Sequence, residues 1–367
     1  MNYPKVSIVV IAYNEARMLP SCLDALMQLE YPRERLEIIV VDNNSTDKTG
    51  EIVKRYPVQY IFEAKQGRAT ARNSGIRASS GTLVAFIDAD CIAHPHWLKR
   101  IAGGFTGGAT AGCGGIIASH KLDTPLEKYM DRVLCVQNSA ISGEVLFLPF
   151  IITCNSIFRK DALEKVNMFD EALSFIDDID ISWRLLFQGY RFNFIPDAIV
   201  WHRHRANLAG FCERIFRYGA IQAFMVKRYS QILGITRLLK PVFPRVPSIP
   251  LSALFTLFFV KLPYYAGEIY GRRFFHSVDK KNLIPLKNTD RVIYWRRGDF
   301  TNIFNAKTAA FYSLDGAGAR AFELLMEGKN EMDIVNTIAD EFDADAKDIK
   351  EDFLKLVEDL RQNGILQ

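Results

Sequence analysis

The chain opens on a nearly unbroken β-branched run, Val6 to Ala12 (VSIVVIA). A run without polar alternation predicts a strand buried on both faces of a parallel sheet. Tyr13-Asn14-Glu15 follows, and Met18 to Leu29 then carries apolar residues at helical spacing until Tyr31-Pro32 ends it. Leu36 to Val41 predicts a second buried strand, and Asp42 to Asp47 (DNNSTD) offers side chains that cap the next helix. Val58 to Phe62 predicts a third strand, Ala69 to Ala78 a helix stopped by Gly81, and Thr82 to Ile87 a fourth strand running into Asp88. This alternation predicts a doubly wound α/β sheet, whose ligands bind beyond the carboxyl ends of the strands. Three loops then share one edge: Tyr13–Glu15, Asp42–Asp47 and Asp88–Cys91.

Beyond about residue 110 the alternation weakens. Strands are expected at Gly112–Ser119, Ile151–Phe158, Tyr190–Ile195 and Ala198–Trp201, and helices at Asp161–Val166, Asp178–Gln188 and Leu208–Tyr229. Pro241, Pro244, Pro247 and Pro250 then punctuate a linker. Leu251 to Val260 is almost wholly apolar, but shorter than the ~20 residues a membrane-spanning helix needs. It reads equally as a buried core helix or as a helix in the membrane interface, with Arg272 and Arg273 facing anionic headgroups. A small module begins near Arg291. Short strands are expected at Val292–Trp295, Asn302–Phe304 and Phe311–Ser313, and helices at Gly318–Met326, Glu331–Phe342 and Ala346–Leu360. Asn330 and Asp345 are candidate N-caps, and Gly364 closes the last helix. The expected organisation is 1–235, a linker over 236–288, and 289–367.

Charge adds one point. The net formal charge of +4 excludes a polyelectrolyte role, but its distribution is uneven. Between Arg203 and Arg297 basic residues outnumber acidic ones roughly four to one, and from Asp315 to Asp359 the balance reverses. The six cysteines show no CxxC and no regular spacing, which argues against a zinc ribbon or a disulfide framework. Met1 to Val10 has no basic segment followed by a long apolar one, so no signal peptide is read. A cytoplasmic location is expected, with peripheral contact at the inner membrane face through the basic middle. No base-reading module is visible, which argues against nucleic acid.

The chemistry-bearing groups are carboxylates. Asp42, after the second strand, could accept hydrogen bonds from a nucleotide's ring N–H or ribose, or serve as a helix N-cap. Asp88-Ala89-Asp90 places two carboxylates just past an apolar strand. A hard divalent cation, Mg²⁺ or Mn²⁺, would satisfy them and neutralise a leaving diphosphate, whereas a solvated turn is the plain alternative. Asp177-Asp178-Ile179-Asp180 opens a helix, where acids suit the dipole and where crowded like charges raise one another's pKa. One of them could be a general base. His202 and His204 could complete metal coordination or lie on the surface among arginines. Arg203, Arg205, Arg214 and Arg217 could steady a diphosphate or anionic lipid.

Together these segments resemble the family 2 glycosyltransferases of GT-A fold over roughly residues 4–230. VSIVVIAYNEARMLPSCLDAL, EIIVVDNNSTDKTGEIV, GRATARNSGIRASSGTLVAFIDADC, CNSIFRKDALEKVNMFDE and DDIDISWRLLFQGYRF carry the resemblance in order and spacing. It implies a Rossmann-like nucleotide-diphospho-sugar transferase. Ala12, Tyr13, Asn14 and Glu15 would wrap base and ribose, with Asp42 and Asn44 at the base. Gly67, Arg68, Arg72 and Asn73 would line the donor site, together with Ala89 and Asn155. Asp88 would hold the ribose side, Asp90 and His202 the metal, and Asp178 would be the base. Asp177 stands where many members have Glu. The Gln/Arg-x-x-Arg-Trp motif of processive synthases is absent, with Arg214-Ile215-Phe216-Arg217-Tyr218-Gly219 in that region, which argues for transfer of a single sugar.

The tail, about 291–367, resembles PqqD-type winged-helix domains through FYSLDGAGARAFELLMEG and a late NGIL. That implies recognition of a leader peptide by strand addition. A stabilising cap or dimerisation module is the plain alternative. The leading expectation is an inverting transferase that uses a nucleoside-diphosphate sugar, UDP-linked by resemblance. Its acceptor is a peptide brought by the tail, or a lipid-linked or polysaccharide acceptor at the membrane. A non-catalytic scaffold for a peptide-modifying complex is the alternative of another class.

Overall fold

The computed structural model describes residues 3–120, 148–173, 176–203, 292–297, 300–305, 310–362 and 365–366, with isolated positions between 128 and 229. The described residues fall into two compact units, one holding those up to 220 and the other Tyr229 and those from Val292 onward. Of the expected helix Leu208–Tyr229 only scattered positions between 212 and 229 are described, and these are helical. The linker with Leu251–Val260, the domain limits near 235 and 288, and the cap Gly364 lie outside the described residues.

The first unit is built on one eight-stranded sheet. Its strands are β1 (Val6–Ala12), β2 (Leu36–Asp42), β3 (Gln59–Phe62), β4 (Leu83–Asp88), β5 (Cys91–Ala93), β6 (Thr110–Ser119), β7 (Ser156–Arg159) and β8 (Arg191–His202). They lie in the order β3-β2-β1-β4-β7-β6-β8-β5. The first four are parallel, as the alternation predicts, and β7 and β5 run antiparallel to their neighbours. Val6, Ile8 and Val10 enter one core with Ile38, Val40, Ala85 and Ile87, while Val9, Ile39, Val41, Val84 and Phe86 enter the other. The unbroken apolar runs are thus explained, since successive side chains point to opposite faces and both faces are covered.

Helices complete the layers. α1 (Leu19–Met27) lays Leu19, Cys22, Leu23 and Leu26 on the first core. The short α2 (Thr49–Val53) follows β2. α3 (Arg68–Ala78) covers the second core with Ala69, Ala71 and Ile76, and approaches so closely that a Cβ at Gly75 would collide with Val9. The remaining helices are α4 (Trp97–Ala102), α5 (Lys160–Lys165) and α6 (Asp177–Phe187).

Two expectations change. Of Ile151–Phe158 only Ser156 onward is strand, and Thr153–Asn155 is a 3₁₀ turn. The Ile151 amide donates to the Ser182 hydroxyl of α6 at 3.1 Å, a side-chain partner in place of a ladder. Tyr190–Ile195 and Ala198–Trp201 form one strand, β8, whose register with β6 slips between Gly115↔Ile195 and Ile116↔Ile199. Pro196 lies in the slip, where its missing N–H costs no ladder bond.

The second unit has an antiparallel sheet in the order β11-β10-β9, from β9 (Val292–Arg297), β10 (Phe300–Asn305) and β11 (Ala310–Asp315). α7 (Gly316–Met326), α8 (Glu331–Phe342) and α9 (Ala346–Gln362) follow. Phe322, Ile303 and Leu360 join the sheet to the helices, and Ile334, Ile338 and Phe353 pack the helices together. Asn330 accepts from the Asp333 amide at 2.9 Å and Asp345 from the Lys347 amide at 2.7 Å, the N-caps read from the sequence. Among the described residues no helix is long and apolar enough to cross a membrane.

Candidate active site

Parallel register decides where the loops emerge. Ala12 lies beside Asp42 across β1–β2, and Ile11 beside Asp88 across β1–β4. The three strands therefore end together, and their loops share the carboxyl edge.

Those loops are tied by short polar side chains. Asn14, at φ 54°, accepts from the Thr46 amide at 2.8 Å, and its own amide donates to the Ser45 hydroxyl at 3.0 Å. The Glu15 amide donates to Thr49 Oγ1 at 2.8 Å, and the Glu15 carbonyl receives the Leu19 amide at 2.9 Å. Asn44, at φ 62°, donates to the Ala64 carbonyl at 3.3 Å. Asn43 does more than the sequence suggested. It donates to the Lys65 carbonyl at 2.8 Å and accepts from the Gly67 amide at 2.8 Å, joining the loops after β2 and β3. Its signal was its place within DNNSTD. Asp42 is buried, accepting from the Ser45 amide at 3.0 Å and the Tyr60 hydroxyl at 3.1 Å, so it organises this edge. Tyr13 is exposed at the rim, while Ala12 and Ala89 are buried backbone positions.

Arg72 links the loops to the helix of the third acidic cluster. It is 3% exposed, pairs with the equally buried Asp177, and reaches Asp88 at 3.4 Å. Its guanidinium stands 5.7 Å from the Phe169 ring centroid. Burial opposes the charge, but Asp177, Asp88 and Asp178 outweigh it and hold Arg72 protonated. Asp178 is half-buried at the start of α6 and accepts from the Ile179 amide at 2.9 Å. Burial and the neighbouring Asp177 push its carboxyl up from 3.8 to about 7, against Arg72 and Arg68. Such a carboxylate can take a proton near neutral pH.

α6 is held from behind. Arg184 pairs with buried Asp180 at 2.7 Å and donates to the Met168 carbonyl at 2.7 Å. Asn73 exchanges hydrogen bonds with the Phe169 backbone, both at 2.9 Å, and donates to Glu171 at 3.1 Å. Lys65 and Arg77 bind Glu171 at 2.7 and 3.1 Å. Lys65, above all, pulls the Glu171 carboxyl down to about 2.

Asp90 and His202 meet through sheet register. β5 and β8 pair with Cys91 opposite His202, the Arg203 amide donates to the Asp90 carbonyl at 3.0 Å, and Asp90 Oδ2 lies 3.6 Å from His202 Nε2. Their side chains are 19% and 14% exposed. An oxygen and an imidazole donor that close, each partly exposed, fit a divalent cation. Cys91 and Cys22 lie behind them. Burial first, with Asp88 and Asp90 adding, holds both thiols protonated, and Cys91 is hydrogen-bonded to Cys154.

Two expected site residues lie elsewhere. Asn155 has no exposed surface. Its amide accepts from Trp97 Nε1 at 2.8 Å and donates to the Ile116 and Ala198 carbonyls at 2.7 and 2.9 Å, so it braces β6, β8 and α4 from within the core. Asn73, buried and spent on Phe169 and Glu171, likewise positions the approach to α6. His204, Arg205 and Arg214 lie outside the described residues.

The mixed sheet, with its loops and acidic residues on the carboxyl edge, is of GT-A type. The structure overlays on mannosyltransferase PcManGT from Pyrobaculum calidifontis, solved with GDP-Man and Mn²⁺, with a TM-score of 0.50 at 21% identity, covering 67% of this chain and 68% of that one. That likeness is one of fold. Residues 7–166 match the Glycosyl transferase family 2 model, and residues 302–366 match Coenzyme PQQ synthesis protein D (PqqD). Glycosyltransferase AglE of Haloferax volcanii is 31% identical over 244 residues, 62% of this chain and 76% of that protein. Probable glycosyltransferase YdaM of Bacillus subtilis is 30% identical over 214 residues, 54% of this chain, which spans about half of that relative's length (51%). The chain belongs to glycosyl transferase family 2 and is a glycosyltransferase.

Proposed function

We propose that the chain is an inverting transferase that moves one sugar from a nucleoside-diphosphate sugar, UDP-linked by family resemblance, to a peptide acceptor recruited by residues 291–367. The observation that carries the reading is the Arg72 bridge, with Asp88 of the donor edge at 3.4 Å and Asp177 of the α6 cluster on the other arm. It sets a base-strength carboxylate, Asp178, beside the strand ends where such sheets bind nucleotides.

In this reading Tyr13 and the loop organised by Asn14, Asp42 and Asn44 receive base and ribose, with Gly67 and Arg68 beyond them. Asp88 takes the ribose side. Asp90 and His202 would hold a divalent cation, Mg²⁺ or Mn²⁺, which would supply positive charge to offset that of the departing diphosphate. Asp178 accepts the proton of the acceptor nucleophile as its oxygen or sulfur attacks the anomeric carbon opposite the diphosphate. Arg72 is paired with Asp177, so the burial penalty falls on Asp178. The tail's part rests on the match over 302–366 and on β9 and β11, the outer strands of its sheet.

The test is release of nucleoside diphosphate from UDP-sugars with Mn²⁺ or Mg²⁺, in wild type and Asp178→Asn. Loss of turnover with retained donor binding is expected, and equal turnover would remove Asp178 from the mechanism. Precursor peptides with and without their leaders report on the acceptor. Equal modification of both would exclude a recruiting tail.

A further inference from the structure

The floor of the Asp90–His202 pair is a thiol to which the transfer reaction assigns no part. Cys91 stands directly opposite His202 in the β5–β8 ladder. Directly opposed residues carry their side chains on the same face of a sheet. Asp90 Oδ1 lies 3.7 Å from Cys91 Sγ, and its other oxygen lies 3.6 Å from His202 Nε2. One ligand atom from each of the three residues lies within 4.8 Å of the other two. Bond lengths of about 2.0 Å to oxygen or nitrogen and about 2.3 Å to sulfur put neighbouring donors of a tetrahedral zinc roughly 3.3–3.6 Å apart. The 3.6 and 3.7 Å separations are close to those edges and the third pair lies within 4.8 Å, so side-chain rotations close the site.

We propose that Asp90, Cys91 and His202 form a mixed oxygen–sulfur–nitrogen centre for a thiophilic divalent cation, zinc above all, and that zinc there displaces the hard cation used in transfer. Its second half rests on the role given to Asp90 under Proposed function. Mg²⁺ and Mn²⁺ draw on oxygen and imidazole and gain little from sulfur, whereas zinc takes all three donors. Asp90 and His202 are the partly exposed lip and Cys91, fully buried, is the floor, so an ion arriving from solvent meets sulfur last. Binding breaks the Cys91 S–H bond, sends the proton to solvent and forms a metal–sulfur bond. No electrons are transferred. Three protein ligands leave a fourth position open, where a diphosphate oxygen or water completes the tetrahedron.

The test uses the full chain stripped of metal with a chelator and titrated with cobalt(II), whose bond to thiolate gives a near-ultraviolet charge-transfer band. The band is expected in wild type and in Cys154→Ser, and is expected to be lost in Cys91→Ser, with circular dichroism reporting the fold of each. Zinc is expected to bleach the wild-type band stoichiometrically. Zinc-edge X-ray absorption of the wild type, which needs no variant, is expected to show one sulfur neighbour. Cobalt bound without the band, a band that survives in Cys91→Ser, or a zinc shell without sulfur overturns the site. Mn²⁺-supported nucleoside diphosphate release is followed in the same wild-type sample. No release before zinc is added refutes the transferase reading and leaves the spectra to decide the site. Release that persists with zinc bound to sulfur overturns the competition.

Discussion

Asp178→Asn tests the electrostatics of the site apart from any substrate. The wild-type carboxyl is pushed from 3.8 to about 7, so the folded state holds a proton over a pH range in which the unfolded chain has already released it. Stability therefore falls as pH rises from about 4 to about 7 and is level above that, since both states are then ionised. An amide of the same shape carries no such cost and keeps the carbonyl that accepts from the Ile179 amide. A shift of about three units at ~1.4 kcal/mol each sets a ceiling near 4 kcal/mol, and the partial exposure of Asp178 lowers it to about 1–3 kcal/mol. For a unit of this size each kcal/mol moves Tm by about 2–4 °C. The variant is expected to melt about 5 °C above wild type at pH 8, to match it near pH 4, and to lack turnover. Melting by circular dichroism across that range reads it. A variant less stable at pH 8, or a gap independent of pH, would refute the claim that Asp178 is held at an energetic cost for its chemistry.

Other substitutions probe the frame. Arg72→Lys loses the two-armed bridge between Asp88 and Asp177 and leaves buried charge poorly paired, so a loss of about 2–4 kcal/mol in denaturant melts and a lower kcat are expected. Unchanged kcat would dismiss the bridge as a positioning device. Glu171 is pulled down to about 2, so its stabilisation is complete above 4.5 and fades as pH falls through 2. Glu171→Gln should cost about 1 kcal/mol at pH 7 and nothing near pH 2, read from urea midpoints. Asn155→Leu strands the Trp97 N–H and two carbonyls and should cost about 2–4 kcal/mol in the same melts, with donor KM on the folded enzyme unchanged. A raised KM would return Asn155 to the donor site.

The strands of the parallel half are legible from residue type alone, because burial on two faces demands unbroken apolar runs such as Val6–Ala12 and Leu36–Val41. The sequence also determined which polar segments follow those strands, and hence the edge on which Asn14, Asp42 and Asp88 stand. The tail was legible for the same reason, through local periodicity and caps at Asn330 and Asp345. What the sequence could not show is pairing over distance. Arg72 meets Asp177 across 105 positions, and Cys91 meets His202 only because β5 and β8 lie antiparallel in a particular register. Asn73 and Asn155 sit in segments that carry the family resemblance, yet their amides are spent inside the core, and only a full account of their hydrogen bonds shows it. Tertiary packing likewise decided that Asp178 is the carboxyl raised to about 7, since Arg72 is taken up by Asp177 and the remaining charge is left to burial. The residue types were written along the chain, and their environments were not, because dielectric and partner are properties of the folded surroundings.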